Sequence, residues 1–244
     1  MNILLGETIL HYEQVGQGPQ NILILHGWGR SLNEWFPTAK KLTSQYTVTL
    51  VDLPGFGSSE EPPHAWDTYD YAAVVSDFIK KLELEPSIII GHSFGGRIAT
   101  ILAANNSDQV SSIILIDAGG IQIKNILIRL KILFYKLFIR PIKNLIPKQV
   151  RQSFGSSHYK TLSGTLRTSF VKIVNQDLRH LFTKITRPVT IIWGNDDKIL
   201  PIEYVKIYKI LIPHAQIRIV WGADHSPHLS KPTDLARILE ETLL

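Results

Sequence analysis

Ser93 stands among small residues at the end of an apolar run. The stretch SIIIGHSFGG (87–96) places four residues typical of a buried strand before a segment with three glycines in six positions. The pentapeptide GHSFG (91–95) fits G-x-S-x-G, a pattern in which a sharp strand-to-helix turn presents a strained serine. Glycines two residues away on either side let the chains approach without Cβ clashes. We predict that Ser93 is a nucleophile; the alternative is an ordinary hydroxyl in a turn.

A serine hydroxyl is a poor nucleophile at neutral pH and needs a base, which itself needs an orienting group. The chain has nine histidines, and His225 follows the last predicted strand, at the sheet edge where Ser93 emerges. His228 is its close rival. His92 precedes the nucleophile and is predicted to pack or to form a local hydrogen bond. His225 is therefore the first choice for the base.

Acidic residues follow two of the predicted strands. Asp196 and Asp197 come just after the strand at 189–193, and either could orient the base. Asp117 ends the strand that follows Ser93 and is a third candidate. The residues alone leave this choice open, because Asn and Asp are also ordinary turn residues in surface loops.

The elements that must position these side chains alternate between strands and helices. Short apolar, β-branched runs are typical of strands buried on both faces of a parallel sheet, and they lie at 22–25, 47–51, 87–90, 113–116, 189–193 and 217–221. Helical patterns cover 69–82, 96–105, 201–211 and 232–243. The alternation predicts an α/β fold with a mostly parallel twisted sheet flanked by helices, and residues 8–15 paired antiparallel at its edge.

The strand patterns stop between 120 and 186. Fourteen Lys and Arg residues lie between Gly120 and Arg187 against one acid, Asp177, in a chain of net charge +5. So sharp a charge asymmetry indicates a distinct insertion. We predict a helical basic cap, or lid, at 120–186, inserted after the sixth strand into a core formed by 1–119 and 187–244. Because open α/β sheets bind ligands at the carboxyl edge that the cap would cover, lid residues of 120–186 are candidates for substrate binding.

The segment 121–148 has an apolar and a basic arc on a helical wheel. The simplest interpretation is a lid helix whose Lys and Arg side chains extend into solvent. One alternative is contact with an anionic membrane surface. Another is docking of an acidic partner or substrate, such as an acyl-carrier protein or an acyl-CoA phosphate. Nucleic-acid binding is not predicted, since no fold signature accompanies the charge.

Five motifs together resemble the α/β-hydrolase fold family over nearly the whole chain. They are LHGWG (25–29), VDLPGFGSS (51–59), GHSFGG (91–96), WGNDDKILP (193–201) and DHSPHLSKP (224–232). Within the family they are closest to the carboxylesterase and pimeloyl-carrier-protein methyl esterase group. The resemblance implies a serine hydrolase whose triad follows the order Ser, Asp, His along the chain.

The family pattern implies roles for individual residues. It places the acid at Asp197, with Pro201 in register, and the base at His225. Two departures from the pattern do not touch these positions: Asp224 stands where glycine is common, and Ser230 where glutamate is common.

A tetrahedral intermediate needs two N–H donors for its oxyanion. One is the backbone N–H of the residue after the nucleophile, Phe94. The resemblance places the other at Trp28. The Trp28 side chain is either a core aromatic or part of the substrate pocket.

These features predict an enzyme that cleaves carboxylic esters of small-molecule acyl substrates through an acyl-enzyme on Ser93. A C–C bond hydrolase of meta-cleavage type and a lactonase use the same triad and are alternatives, and a non-catalytic binding module is a remote one. No cofactor is predicted. No metal is predicted either, because the His225-x-x-His228 spacing alone is weak and H-E-x-x-H is absent.

The bulk composition fits one large α/β domain. The chain has 244 residues, of which 44% are apolar, enough for a sizeable core. It has no cysteine, which excludes disulfides, zinc-thiolate sites and a cysteine nucleophile. The first residues lack the pattern of a secretory signal, and no long window is apolar without charge. We therefore expect a soluble, cytoplasmic protein.

Overall fold

The computed structural model describes residues 1–105, 107–122 and 164–243. The strands in this part of the chain are β1 (Asn2–Leu5), β2 (Thr8–Val15), β3 (Gln20–Leu25), β4 (Tyr46–Val51), β5 (Ser87–His92), β6 (Val110–Ile116), β7 (Val189–Gly194) and β8 (Gln216–Val220). They form one sheet in the order β1-β2-β4-β3-β5-β6-β7-β8. From β4 to β8 every pair of neighbours is parallel, whereas β1–β2 and β2–β4 are antiparallel.

Helices flank the sheet on both faces. The described α-helices are α1 (Phe36–Leu42), α2 (Thr68–Lys81), α3 (Phe94–Asn105), α4 (Gly164–Asn175), α5 (Arg179–Phe182), α6 (Tyr204–Leu211), α7 (Pro227–Ser230) and α8 (Pro232–Leu243). Single 3₁₀ turns cover Leu32–Trp35 and Ser107–Gln109. α2 begins at a capping box, in which Asp67 accepts from backbone N–H groups of the first turn and Asp70 accepts from the backbone of Asp67.

Alternate residues of the central strands pack into two cores, one on each face of the sheet. In β3, Leu23 and Leu25 join the core that contains residues of α2, α3 and α6. Ile22 and Ile24 point the other way and join the core that contains residues of α1 and α8. All four side chains are buried. Burial on both faces explains why these strands have continuous apolar sequences rather than alternating ones.

The α/β-hydrolase fold predicted from the sequence is confirmed, and three details differ from the prediction. Residues 8–15 form β2 as predicted, but β2 pairs on both sides, so the edge strand is β1. The helix predicted from 201 begins at Tyr204, after a turn. The short helix α1 is not among the elements that the sequence pattern predicts.

The insertion lies between two neighbouring strands. β6 and β7 pair directly, yet the chain between them runs from Asp117 to Pro188. This is the predicted place of the cap, after the sixth strand, and α4 and α5 belong to it. The predicted lid helix within 121–148 falls almost entirely outside the described residues, and the proposed domain boundaries stay a prediction. None of the helices in the described ranges has the length and apolar character needed to span a membrane.

Candidate active site

Ser93 occupies a sharp turn between β5 and α3. Its backbone has a φ of 51°, in the left-handed region, which is uncommon for a residue other than glycine. A Cβ on Gly91 would lie 2.6 Å from the Gly95 carbonyl oxygen, and a Cβ on Gly95 would lie 2.1 Å from the Leu25 carbonyl oxygen. Neither position accepts a side chain. The two glycines therefore let β5, α3 and β3 approach closely enough to force the strained turn.

The imidazole of His225 lies within hydrogen-bonding distance of the Ser93 hydroxyl. The His225 Nε2 to Ser93 Oγ distance is 3.0 Å. His225 lies in the loop after β8, and its side chain is 14% exposed, so the pair lies where a substrate can reach it. This geometry is suited to removal of the hydroxyl proton by Nε2.

The other nitrogen of the same ring faces a buried carboxylate. His225 Nδ1 lies 2.7 Å from Oδ2 of Asp197, whose side chain is fully buried. The second oxygen of Asp197 accepts hydrogen bonds from the backbone N–H groups of Ile199, at 2.7 Å, and Leu200, at 2.9 Å. With Nδ1 donating to Asp197, Nε2 is left as the acceptor that a general base requires.

Close packing of two loops brings Asp197 beside His225. A Cβ on Gly194 would lie 2.4 Å from the Asp224 carbonyl oxygen, so only glycine fits at the end of β7. The Asp196 N–H donates to the Ala223 carbonyl at 2.9 Å, and Asn195 Oδ1 accepts from the Gly222 N–H. These contacts join the loop after β7 to the loop after β8.

The rival candidates lie elsewhere. Asp196 is exposed, and its Oδ1 accepts from the amide of Asn195. His228 is buried, stacks on Trp35 with ring centroids 4.2 Å apart, and places Nε2 3.3 Å from Glu34 Oε2. Burial lowers the pKa of His228 to about 4, against a smaller opposing effect of the hydrogen bond that His228 donates to Glu34. The structure thus brings Ser93 and His225 together and keeps His228 in the core.

Asp117, the third candidate acid, lies at the same sheet edge. It is fully buried, has a left-handed φ of 42°, and accepts a hydrogen bond from the Gly194 N–H through Oδ1 at 2.9 Å. One ligand atom from each of Asp117, Asp197 and His225 lies within 4.8 Å of the other two. Burial, with the nearby carboxylate of Asp197 as a further cause, raises the pKa of Asp117 to about 8.

The loop after β3 lies against the turn that carries Ser93. A Cβ on Gly27 would be 3.5 Å from the Ser93 Cβ, so the neighbouring Trp28 is close to the turn. His26 fixes this loop, because its Nε2 accepts from the Leu53 N–H at 2.9 Å while its Nδ1 faces the Gly27 carbonyl at 2.7 Å. Phe94 is the first residue of α3, and a helix leaves its first N–H groups without intrahelical partners.

Aromatic side chains surround Trp28 on the cap side of the site. The Trp28 ring lies 4.8 Å from Phe56, 5.1 Å from Phe94 and 5.5 Å from Phe170, measured between ring centroids. Phe170 belongs to α4, within the predicted cap. Trp28 is half-buried, and its indole N–H has no hydrogen-bond partner among the described residues. The side chain therefore packs against the core and against a residue of the predicted cap, while its part in a substrate pocket stays a prediction.

His92 has a role that its sequence position only hinted at. Its Nε2 lies 2.7 Å from the backbone carbonyl of His225, so the ring donates a hydrogen bond there and fixes the loop that carries His225. Burial is the main reason that the pKa of His92 lies well below its usual value, and the nearby imidazoles of His228 and His225 lower it further. Placement directly before Ser93 was the only sign of this in the sequence.

Comparisons with known proteins agree with this architecture. A family model described as alpha/beta hydrolase fold matches residues 20–134. The pimeloyl-[acyl-carrier protein] methyl ester esterase of Aliivibrio salmonicida is 29% identical over 259 residues, covering 96% of this chain and 97% of that protein.

Solved structures show the same fold. A bacterial membrane phospholipase A matches with a TM-score of 0.81 and 22% identity, covering 100% of this chain and 84% of that one. An esterase from Exiguobacterium antarcticum matches with a TM-score of 0.75 and 23% identity, covering 97% of this chain and 96% of that one. At such identities the likeness speaks for the fold and not for the substrate.

Proposed function

Because this chain belongs to the α/β-hydrolase fold family, we propose that it hydrolyses carboxylic esters with a triad of Ser93, His225 and Asp197. One observation carries the proposal: a continuous path of polar contacts, 2.7 Å and 3.0 Å long, leads from the buried carboxylate through the imidazole to the strained serine. Each group in this path lies where acyl transfer needs it. A non-catalytic scaffold has no need of such an arrangement at an accessible edge.

Acylation begins at the serine. His225 Nε2 takes the hydroxyl proton as Ser93 Oγ attacks the ester carbonyl carbon, and the carbonyl oxygen becomes an oxyanion. The backbone N–H groups of Trp28 and Phe94 stabilise that oxyanion. The carboxylate of Asp197 stabilises the imidazolium by its negative charge. His225 then gives the proton to the alkoxide oxygen, so the alcohol departs and the acyl group stays on Ser93.

Deacylation repeats these steps with water. His225 removes a proton from a water molecule that attacks the acyl carbonyl, and the same two N–H groups hold the second oxyanion. Collapse of this intermediate returns the proton to Ser93 Oγ and releases the carboxylic acid. All proton transfers pass through one nitrogen, Nε2, and no other group is required.

The proposed substrate is an ester of a small acyl chain held by an acyl-carrier protein. A relative that aligns over 96% of this chain is named for such a substrate, and the Lys and Arg excess between 120 and 187 suits an acidic carrier. We expect a carrier-bound methyl ester to be cleaved with a higher kcat/KM than the same ester free, and the advantage to shrink as salt is added. Lactones and dienoic ketoacids in the same screen would identify the alternative activities.

The nucleophile is tested by replacing Ser93→Ala. With short p-nitrophenyl esters we expect a burst of p-nitrophenolate from the unchanged protein, as an acyl-enzyme accumulates. The variant should lose the burst, and its kcat should fall by on the order of 10⁴ or more, because the residual rate comes only from binding and the oxyanion donors.

The matched control is Ser44→Ala, which removes an exposed loop hydroxyl. It should leave both the burst and kcat unchanged. Turnover by Ser93→Ala at the rate of Ser44→Ala would refute the assignment of Ser93.

A further inference from the structure

A second carboxyl group lies behind the triad, and the ester-cleaving mechanism leaves it without a task. Asp117 directly follows β6, Gly194 is the last residue of β7, and Oδ1 of Asp117 accepts a hydrogen bond from the Gly194 N–H at 2.9 Å. Its other oxygen, Oδ2, is buried and has no donor among the described residues. A buried carboxylate oxygen without a donor is costly, because no water replaces the missing hydrogen bond.

The surroundings of this carboxyl group are anionic. A carboxylate oxygen of Asp197, from the loop after β7, lies within 4.8 Å of a carboxyl oxygen of Asp117, and Asp224, from the loop after β8, adds a further negative charge. His225 is the nearby base, with a nitrogen within 4.8 Å of a carboxyl oxygen of each of Asp117 and Asp197. Two ionised carboxylates at this distance in a buried place repel one another, and neither can donate to the other.

A single proton on Asp117 would remove both the repulsion between the two carboxylates and the missing hydrogen bond of the buried Oδ2. Placed on Oδ2 of Asp117, it removes the second negative charge and gives the buried oxygen a hydrogen bond to make. A neutral carboxylic acid that donates to a charged acceptor is a known arrangement when an apolar site keeps the acid protonated. Oδ1 is then free to keep its bond with Gly194, which begins the loop that carries Asp197.

We propose that Asp117 is a positioning residue for the triad. Its carboxyl group keeps a proton on Oδ2 at neutral pH and uses it to donate a hydrogen bond to the carboxylate of Asp197. The catalytic meaning of this inference rests on the proposed ester hydrolysis, whereas the protonation itself does not. Asp117 thereby holds Asp197 from two sides, through the shared proton and through Gly194. Because Asp117 is then neutral, the pair of Asp117 and Asp197 places only one negative charge beside His225.

The proton is observable without any substrate. We would label the protein with ¹³C at the aspartate carboxyl carbons and follow their chemical shifts by NMR from pH 3 to pH 10. We expect one resonance to titrate above pH 7. It should be missing from Asp117→Asn and present in the control Asp77→Asn, which removes an exposed carboxyl group on α2. Titration of every aspartate below pH 6 would overturn the proposal.

A second variant distinguishes two reasons why Asp117 could keep its proton: the hydrogen bond to Asp197, or burial alone. In Asp197→Asn the like charge is gone, so the midpoint of the Asp117 resonance should move to lower pH. If burial alone holds the proton, the midpoint will stay where it is in the unchanged protein, and the hydrogen bond to Asp197 is refuted.

The positioning role has its own kinetic test with p-nitrophenyl esters. The ratio of kcat/KM between the unchanged protein and Asp117→Asn should change with pH between 7 and 9, because only the unchanged protein gains a second negative charge beside His225 there. A ratio that is constant with pH would mean a merely structural role. If no ester is cleaved at all, the NMR titration still decides the protonation, so the two proposals fail separately.

Discussion

Among the described residues, three donors contact the carboxylate of Asp197, besides the proton that we propose on Asp117. Two are the backbone N–H groups of Ile199 and Leu200, and the third is His225 Nδ1. Three donors fix the plane of the carboxylate and compensate its burial. The side chain can therefore orient the imidazole without moving, which is the condition for an orienting acid.

Replacement of Asp197 by asparagine keeps the shape of the side chain, yet we expect it to cause a large loss of activity. In Asp197→Asn the amide nitrogen can donate to His225 Nδ1, which would put the ring proton on Nε2 and leave no base facing Ser93. We expect kcat for p-nitrophenyl esters to fall by about 10⁴ with a small change in KM. Steady-state kinetics at saturating and limiting ester measure both constants.

The control for this change is the neighbouring carboxylate. Asp196→Asn removes the same charge one residue earlier, from a side chain that is exposed and does not reach His225. We expect its kcat to stay within about threefold of the unchanged value, since surface charges contribute little. Equal losses in the two variants would contradict the choice of Asp197 over Asp196.

At the scale of elements, the turn between β5 and α3 depends on one backbone contact. A Cβ on Gly95 would lie 2.1 Å from the carbonyl oxygen of Leu25, a backbone atom of β3 that cannot move aside alone. Gly95→Ala should therefore displace α3 from β3, cost about 1–3 kcal/mol of the free energy of unfolding, and greatly lower esterase activity by moving Ser93. Thermal unfolding and p-nitrophenyl ester assays on the same sample measure the two effects.

Gly164 gives a matched comparison in a more open position. It is the first residue of α4, and a Cβ there would meet no atom of the described residues within 4 Å. Gly164→Ala should leave the melting temperature unchanged or slightly raised, because alanine restricts the unfolded chain. A melting temperature for Gly95→Ala equal to that of Gly164→Ala would show that the contact with Leu25 is not limiting.

Burial and length explain which elements could be predicted from the sequence. The central strands were predictable, since burial on both faces produces uninterrupted apolar runs such as that of β3. β1 was not, because three of its four residues are exposed or half-buried and its pairing with β2 leaves no periodic pattern. α1 has only seven residues and a proline in its first turn, too short to show a helical period.

Some features of the candidate site could likewise be predicted from the sequence, and others could not. The turn around Ser93 and the histidine at 225 could be predicted, because local glycine spacing and the place after a strand identify them. The choice between Asp196 and Asp197 depended on family resemblance, since both follow β7. The proton assigned to Asp117 was beyond prediction, because it arises only when the ends of β6 and β7 meet.

At the scale of the whole molecule, buried histidines tie stability to pH. His26, His92 and His228 are all buried, and burial is the main cause that lowers the pKa of each. In the unfolded chain these groups return to a pKa of about 6.5. Because the folded values lie below the unfolded one, the unfolded state binds more protons in acid. Their contribution to stability is complete above about pH 6.5 and is lost as the pH falls towards the folded values.

His228 allows this linkage to be measured for one group, because its folded pKa is about 4. Between pH 6 and pH 4.5 it should contribute up to about 1.4 kcal/mol per pH unit to the slope of the unfolding free energy. His228→Gln keeps a polar partner for Glu34 but cannot titrate. We expect its urea-unfolding free energy to fall less steeply with acid than that of the unchanged protein, even though it is less stable at pH 7.5.

The test depends on how steeply the unfolding free energy changes with pH, and not on its value at one pH. Any change in the core can lower stability, but only the loss of a titrating group changes the uptake of protons on unfolding. His64→Gln is the control, since that histidine is exposed. It should keep the slope of the unchanged protein from pH 7.5 to 4.5. Parallel curves for His228→Gln and the unchanged protein would mean that His228 binds its proton equally in the folded and unfolded states, and burial beside Trp35 would then have no part in the acid sensitivity of the fold.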